Sequence, residues 1–238
     1  MSFFPKNVNF LSTFRQINGG QSKGNFKNFN LALHLNDDKE SVLANRALLR
    51  EIFELPSEPK WLNQIHSSKC IDAQLIDSTV YADASYTSEQ GIVCAIMTAD
   101  CLPVFVSRQD GSMVGIAHAG WKGLLSGVIE NLIESFQTSG DDLIVHLGPS
   151  ISQNFFEVGE EIRALYLSKN DNFKRSFIKK GHKNYLDLYD AAKLILESFQ
   201  IKSIYGGDRC TFKESTNFFS YRRDGAKSGR MAHLIWIK

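Results

Sequence analysis

The sequence predicts an α+β fold, in which helices and hairpins mix without the regular βαβ order of a doubly wound sheet. An Asp-Gly turn lies between two apolar runs at residues 101–107 and 113–119, which is typical of a β-hairpin. Residues 124–136 and 187–199 repeat apolar side chains at helical spacing instead.

Length and composition describe an ordinary globular chain. Its 238 residues suffice for one large domain or two small ones, with 43% hydrophobic and 22% charged residues. A net charge of +1 gives no bulk field that would favour nucleic acid or a membrane surface. The N-terminus lacks signal-peptide features, and no run approaches the roughly 20 apolar residues of a membrane span. Four cysteines without a CxxC pair indicate reduced thiols in a cytoplasmic protein.

The N-terminal part of the chain predicts a loop and a helix. Residues 18–25 are rich in glycine but lack the phosphate-binding GxxxxGK[ST] pattern, so we interpret them as a plain turn. A helix follows over residues 38–49, capped by Asp37 or Asp38. Its apolar side should consist of Val42, Leu43, Ala47 and Leu49.

Three shorter stretches lead to the hairpin. Residues 61–67 predict a short strand that ends at His66. Residues 82–90 are polar and predict a loop. Residues 92–97 are continuously apolar, which is typical of a strand buried on both faces.

The hairpin brings a cysteine and a histidine together. If its pairs are centred between Gln109 and Asp110, Cys101 and His118 lie opposite each other, with Cβ atoms roughly 5 Å apart. A thiolate beside an imidazole is either half of a metal site or an activated nucleophile pair. A buried structural pair is the third interpretation.

The C-terminal half alternates helices and strands. The helix over 124–136 begins just after His118, so its positive end would favour an anion there. The other predictions are strands at 143–147 and 201–205, helices at 155–167 and 187–199, and a strand, a loop and a terminal strand over 218–238. Within the last block, adjacent Arg222 and Arg223 suit phosphate or carboxylate binding, because guanidinium is a bidentate donor.

Several separated segments together resemble one family, the polyphenol oxidase laccase or YfiH-like family. The resemblance covers nearly the whole chain in order, and HAGW combined with ADC and SYRRDG is specific to it. The matching segments are the N-terminal GGQSKGNFKNFNLALHLNDDKESVLANR, NQIHS (63–67), TADCLPV (98–104), HAGWKG (118–123), GPSISQNFFEVGEEI (148–162) and FFSYRRDGAKSGRMA (218–232).

The resemblance implies one catalytic domain over residues 1–238, with mixed sheets flanked by helices and a fold related to the catalytic domain of cytotoxic necrotizing factor. It also implies a mononuclear zinc site, mapped here onto His66, Cys101 and His118, with copper as the family-level alternative. The implied activity is phosphorolysis of adenosine, inosine, guanosine and methylthioadenosine, with adenosine deamination. Purine nucleosides and inorganic phosphate are therefore the expected partners.

The residue chemistry agrees with that implication. Three N and S ligands leave one open position on a tetrahedral zinc, which can then activate water for attack on adenine. Lys122, Arg222 and Arg223 are candidate phosphate holders, although Lys122 stands where the family usually has arginine and so lacks the bidentate fork. Asp100 is a candidate acid for the departing base. Asp83 and Asp208 are no better placed by sequence.

Three alternatives stay open at this stage. Cys101 and His118 could form a cysteine hydrolase or amidase pair. A copper-dependent polyphenol oxidase is a second alternative, but six histidines are too few for a conventional multicopper cluster. A structural zinc is the third, and it requires a fourth protein ligand, for which Cys70 is the nearby candidate.

Overall fold

The computed structural model describes residues 3–77 and 79–238. Its strands are β1 (Val8–Ser12), β2 (Lys60–Trp61), β3 (Cys70–Asp72), β4 (Ala84–Thr87), β5 (Cys94–Thr98), β6 (Leu102–Arg108), β7 (Val114–Ala119), β8 (Leu143–Leu147), β9 (Glu157–Val158), β10 (Phe177–Lys180), β11 (Lys183–Leu186), β12 (Ser203–Gly206) and β13 (Met231–Ile237). Its helices are α1 (Lys39–Ile52), α2 (Trp121–Ser126), α3 (Val128–Ser135), α4 (Glu160–Lys169), α5 (Leu188–Ser198) and α6 (Tyr221–Asp224).

Two sheets pack face to face and helices cover their outer sides. The four-stranded sheet has the order β1-β13-β5-β2, and the six-stranded sheet has the order β12-β8-β6-β7-β4-β3. A small third sheet has the order β10-β11-β9. Parallel and antiparallel neighbours occur in both large sheets, so the predicted α+β class is confirmed.

The side chains between the two large sheets form what we call the inter-sheet layer. Ile96 and Ile235 from the four-stranded sheet meet Phe105, Val114 and Ile116 from the six-stranded sheet there. Alternation along a strand places every second residue on the same face. His118 on β7 and His233 on β13 therefore both point into this layer.

The outer faces of the sheets form two further cores. α3 and α5 bury residues such as Leu132 and Leu196 against the six-stranded sheet. α1 and the segment before it bury Leu49 and Phe29 against the four-stranded sheet. Among the described residues, no helix is long and apolar enough to cross a membrane.

The hairpin is confirmed, but its predicted register is wrong. Pro103, not Cys101, is the Cα partner of His118, because the pairs are centred between Asp110 and Gly111. The turn takes this position because Gly111 adopts a φ of 71° and the Asp110 carboxylate accepts from the Ser112 backbone N–H. An error of two residues preserves the face, so His118 keeps its predicted side.

The predicted helices are only partly right. α1 is confirmed, and the Asp38 carboxylate caps it by accepting from the Ser41 N–H. Leu43, at 55% exposure, and Ala47 are exposed, however, rather than part of its apolar side. The single helix predicted over 124–136 is instead α2 and α3. Gly127 separates them with a φ of 97°, a conformation that an apolar periodicity cannot reveal. The helix predicted over 155–167 begins only at Glu160.

Three other local predictions were wrong. Only Lys60–Trp61 is a strand in the first stretch, because the chain then leaves the sheet and His66 adopts a φ of 59°. The predicted loop over 82–90 contains β4, a mostly buried strand whose polar sequence disguises it. No strand begins at Phe218. Residues from Tyr221 to Asp224 form α6 there. The predictions of β5, β8, α5 and β13 are confirmed.

Candidate metal centre and substrate cavity

Three separate segments bring His66, Cys101 and His118 together. His118 lies on β7, Cys101 directly precedes β6, and His66 lies in the loop after β2. One ligand atom from each residue lies within 4.8 Å of the other two. The Cys101 Sγ and His66 Nε2 atoms are 4.0 Å apart, and the two imidazole centroids are 4.8 Å apart. Two ligand atoms on a tetrahedral zinc lie about 3.5 Å apart, so this donor set needs only a small contraction to hold one ion.

Backbone features that only certain residues tolerate hold the three side chains at this spacing. A Cβ atom at Gly120 would lie 2.8 Å from Cys101 Sγ and 3.3 Å from His66 Cδ2, so glycine is required there. His66 has a φ of 59° and Asp100, next to Cys101, has a φ of 93°. Left-handed backbone at non-glycine residues is strained and persists where the surrounding structure fixes it, often at functional sites.

The electrostatics of the metal-free cluster favour a thiolate and an imidazolium. Burial favours the neutral forms of both residues. The two histidines nevertheless lower the pKa of Cys101 to about 6. The Cys101 thiolate and the Asp83 carboxylate overcome burial to raise the pKa of His118 to about 9. A thiolate is the metal-binding form of cysteine, so the cluster presents a competent sulfur ligand at neutral pH.

The cluster lies at a cavity of about 480 Å³, within the size range of small-molecule sites. The open end of the inter-sheet layer forms part of its wall through Thr98 and His118. Aromatic side chains from other elements, Trp121, Phe156 and Tyr221, line it as well. The cavity therefore combines flat aromatic surfaces with a cluster of side chains that can bind a metal ion.

Asp100 lines this cavity, but its carboxylate is fully engaged. Oδ1 accepts from Thr211 Oγ1 at 2.6 Å, and Oδ2 accepts from Ser220 Oγ at 3.0 Å and from the Arg222 N–H at 2.7 Å. The Asp100 carbonyl accepts from Ser150 Oγ and the Ile151 N–H. These bonds fix the turn before Cys101, which is a structural use of the residue that we had expected to act as an acid.

The predicted cations are distributed differently from what the sequence indicated. Arg222 lines the cavity, with its Nη atoms donating to the Glu157 carbonyl and its guanidinium over the Phe156 ring. Arg223 lies outside the cavity lining and uses its guanidinium to hold three backbone carbonyls and Asp224. Lys122 is exposed and also lies outside the lining.

Besides the aromatic residues, the sequence analysis missed two basic residues of the cavity. Arg230 lies at the start of the terminal strand segment, and only its Nη1 is bonded, to the carbonyls of Ser228 and Gly229. Its Nε and Nη2 have no hydrogen-bond partner within residues 3–77 and 79–238. His34 also lines the cavity without such a partner there, and burial and the nearby Arg230 and Arg46 lower its pKa. Their only sequence signal was membership in the family-like segments.

The remaining candidates lie elsewhere or in supporting positions. The Asp83 carboxylate binds His118 Nδ1 at 2.8 Å. Asp208 lines a different cavity beside His146. Cys70 is not a fourth ligand. Its thiol accepts from Ser135 Oγ, and burial raises its pKa to about 11. Within the part of the chain that the structure describes, the cluster has three members, as an open rather than a closed metal site requires.

Comparisons with known proteins agree along the whole chain. The model of a family described as multi-copper polyphenol oxidoreductase laccase matches residues 11–238. The purine nucleoside phosphorylase YfiH of Escherichia coli is 40% identical over 237 residues, covering 98% of this chain and 95% of that protein. The purine nucleoside phosphorylase PA4543 of Pseudomonas aeruginosa is 37% identical, covering 92% of this chain and 90% of that protein.

Solved structures show the same fold. A Neisseria meningitidis protein of the DUF152 family superposes with a TM-score of 0.93 at 40% identity, covering 99% of this chain and 96% of the other. YlmD from Geobacillus stearothermophilus superposes with a TM-score of 0.86 at 28% identity, covering 98% and 93%. With matches of this length in both sequence and structure, the chain belongs to the laccase-like YfiH family.

Proposed function

We propose that this chain is a zinc-dependent purine nucleoside phosphorylase that also deaminates adenosine, with adenosine, inosine, guanosine and methylthioadenosine as substrates. The observation that carries the proposal is the His66, Cys101 and His118 cluster, open on one side to a cavity of about 480 Å³. The names of the relatives at 37–40% identity support phosphorolysis. We further propose that residues 1–238 act as one catalytic domain in the cytoplasm.

The donor set fits zinc, because two imidazoles and one thiolate are borderline-soft ligands in a three-residue arrangement. His66, Cys101 and His118 would hold the ion. When bound, it would supply Lewis-acid chemistry and activate water at neutral pH. Copper is the alternative that the family description raises, and metal analysis of the purified protein separates the two.

Arg230 is the side chain best placed to hold phosphate. Its free Nε and Nη2 form the planar fork that binds two oxygens of one oxyanion. Burial lowers its pKa, while Cys101 and Asp100 raise it. Arg222 lines the same cavity but already donates to Glu157, so it is the weaker candidate. A phosphate held here would attack C1′ of the ribose as the bond to the purine N9 breaks.

The purine needs a flat surface and a proton donor. Trp121, Phe156 and Tyr221 supply aromatic surface in the cavity. His34 has a ring N–H without a hydrogen-bond partner among the described residues, and we assign it the hydrogen bond to a purine nitrogen. The proton of hydrogen phosphate balances the one that the departing purine gains.

The test is product analysis of adenosine incubated with enzyme, with and without phosphate. Adenine and ribose 1-phosphate should appear only with phosphate, and inosine should appear in either condition. If neither product forms with zinc-loaded enzyme, the purine assignment is wrong.

A second candidate function rests on the pKa of Cys101, which lies near 6. A thiolate next to His118 is also a competent nucleophile toward amides. Alkylation of Cys101 separates the two. Zinc should protect the thiol if it is a ligand, whereas a hydrolase should lose amidase activity regardless of metal.

A further inference from the structure

Asp83 is buried directly before β4 and hydrogen-bonds both histidines of the cluster. Its side chain is fully buried, and the two oxygens divide their bonds between two parts of the site. Oδ1 accepts from His118 Nδ1 at 2.8 Å and from the His66 backbone N–H at 3.0 Å. One carboxylate oxygen therefore joins the imidazole of one candidate ligand to the backbone of another.

The second oxygen fixes the loop around His66. Oδ2 accepts from the Ser67 N–H at 2.6 Å, from Ser67 Oγ at 2.8 Å and from the Ile65 N–H at 3.2 Å. Three consecutive backbone N–H groups thus converge on one carboxylate, which holds His66 in its left-handed conformation. Burial opposes the charge, but the bonds from His118 and Ser67 outweigh it and lower the pKa of Asp83 to about 2.

We propose that Asp83 is a positioning residue that sets the metal affinity of the site by fixing two ligands at once. It holds the proton on His118 Nδ1, which leaves Nε2 to face Cys101 and the cavity. It also holds the loop that brings His66 to the same point. The proposal rests on the metal centre of the proposed function, but not on the identity of the substrate.

The main experiment measures Zn²⁺ affinity by competition with a chelator, for the full-length wild type and for Asp83→Asn. The substitution keeps the shape of the side chain, but its NH₂ group would face the N–H donors that bind Asp83. Part of the hydrogen bonding around this side chain is therefore lost. Loss of a hydrogen-bond partner behind a metal ligand weakens binding by about 10- to 100-fold, and that is the expected change.

Asp37→Asn is the matched control. The Asp37 carboxylate also accepts three hydrogen bonds, from Ser22 Oγ, Asn30 Nδ2 and the Asp38 N–H, but none comes from a candidate metal ligand or from a residue next to one. Its zinc affinity should change by less than about threefold. Unchanged affinity in Asp83→Asn, or an equal loss in both variants, would show that Asp83 serves folding alone.

A measurement on the wild type covers the case in which Asp83→Asn does not fold. Nitrogen-15 NMR of the zinc-loaded protein should show a His118 Nδ1–H that exchanges slowly, with Nε2 as the ligand atom. Metal bound through Nδ1 would overturn the proposal, as would a wild type without zinc affinity. Tight zinc binding that depends on Asp83, in a protein without phosphorolysis, would overturn the proposed function and leave this inference standing.

Discussion

The inter-sheet layer contains two buried histidines in opposite electrostatic environments. At its open end, His118 is 4% exposed and is bonded to a carboxylate beside a thiol. In its closed part, His233 is fully buried between the hydroxyls of Thr98 and Ser12, at 2.8 and 2.7 Å. Burial disfavours the charged form of both. The pKa of His118 nevertheless rises to about 9, while the pKa of His233 falls to about 3.

Burial keeps a histidine neutral, as it does His233, unless anionic partners outweigh it, as they do at His118. Anionic partners keep metal-free His118 charged, so a metal ion would have to displace the proton from Nε2 to bind there. Burial, together with the charges of His118 and His146, keeps His233 neutral, and its two hydroxyl partners connect β13 to β1 and β5 within the core. We therefore expect changes at the open end to affect metal and substrate, and changes in the closed part to affect stability.

The largest expected effect is that of Cys101→Ser at the open end. The serine keeps the shape, but its hydroxyl does not ionise near neutral pH, so the site loses its anionic ligand. Zinc affinity should fall by at least about a hundredfold, since even indirect partners of ligands contribute that much. Phosphorolysis and deamination should fall together with zinc content, measured on the same preparations.

The same variant separates function from folding. The metal-free variant should still unfold cooperatively, with a loss of about 1–2 kcal/mol in the free energy of unfolding because the thiolate paired with His118 is gone. If zinc stayed bound while an amidase activity disappeared, Cys101 would be a nucleophile rather than a ligand.

The next effect concerns the cavity cations. Arg230→Ala should raise the KM for phosphate about 10- to 100-fold, the equivalent of roughly 1.5–3 kcal/mol for a charge-assisted contact, with a smaller change for adenosine. Arg222→Ala is the matched control, and it should raise that KM less than about threefold because its guanidinium is already bonded to Glu157. Equal increases in the KM for phosphate in the two variants would mean that Arg222 and Arg230 both bind phosphate.

The arginines illustrate which parts of the site could be predicted from the sequence and which could not. The motifs and the hairpin pointed to His66, Cys101 and His118, and an error of two residues in register did not change the face. Arg222 and Arg223 were chosen for their chemistry. A sequence does not show that the Arg223 guanidinium is occupied by the backbone carbonyls of Thr211 and Phe212.

The same limit applies to the supporting residues. The sequence did not distinguish Asp83 from the other acidic residues, because the sequence of β4 resembles a polar loop. Its five hydrogen bonds form only when residues 65–67, Asp83 and His118 come together in the fold. Asp100 lines the cavity as expected, but its hydrogen bonds could not be predicted for the same reason, since Thr211 and Ser220 approach it from the far end of the chain.

The smallest effect belongs to the closed part of the layer and concerns pH. Below about pH 6.5 the unfolded chain protonates His233, while the folded protein keeps it neutral down to about pH 3. The unfolded state therefore binds more protons in this window, and the free energy of unfolding falls by about 1.4 kcal/mol per pH unit. Between pH 7 and pH 5, His233 alone should account for a loss of about 2 kcal/mol.

His233→Gln tests this assignment, because the amide can bond both hydroxyls but does not titrate. Chemical denaturation of metal-free protein at pH 7 and pH 5 should show a drop that is smaller than that of the wild type by about 2 kcal/mol. His182→Gln, at an exposed position, is the control and should reproduce the wild-type drop. Zinc affinity at pH 7 should be the same in His233→Gln as in the wild type. A variant that lost zinc as Cys101→Ser does would mean that the two ends of the layer are not independent, and the division between function and stability would fail.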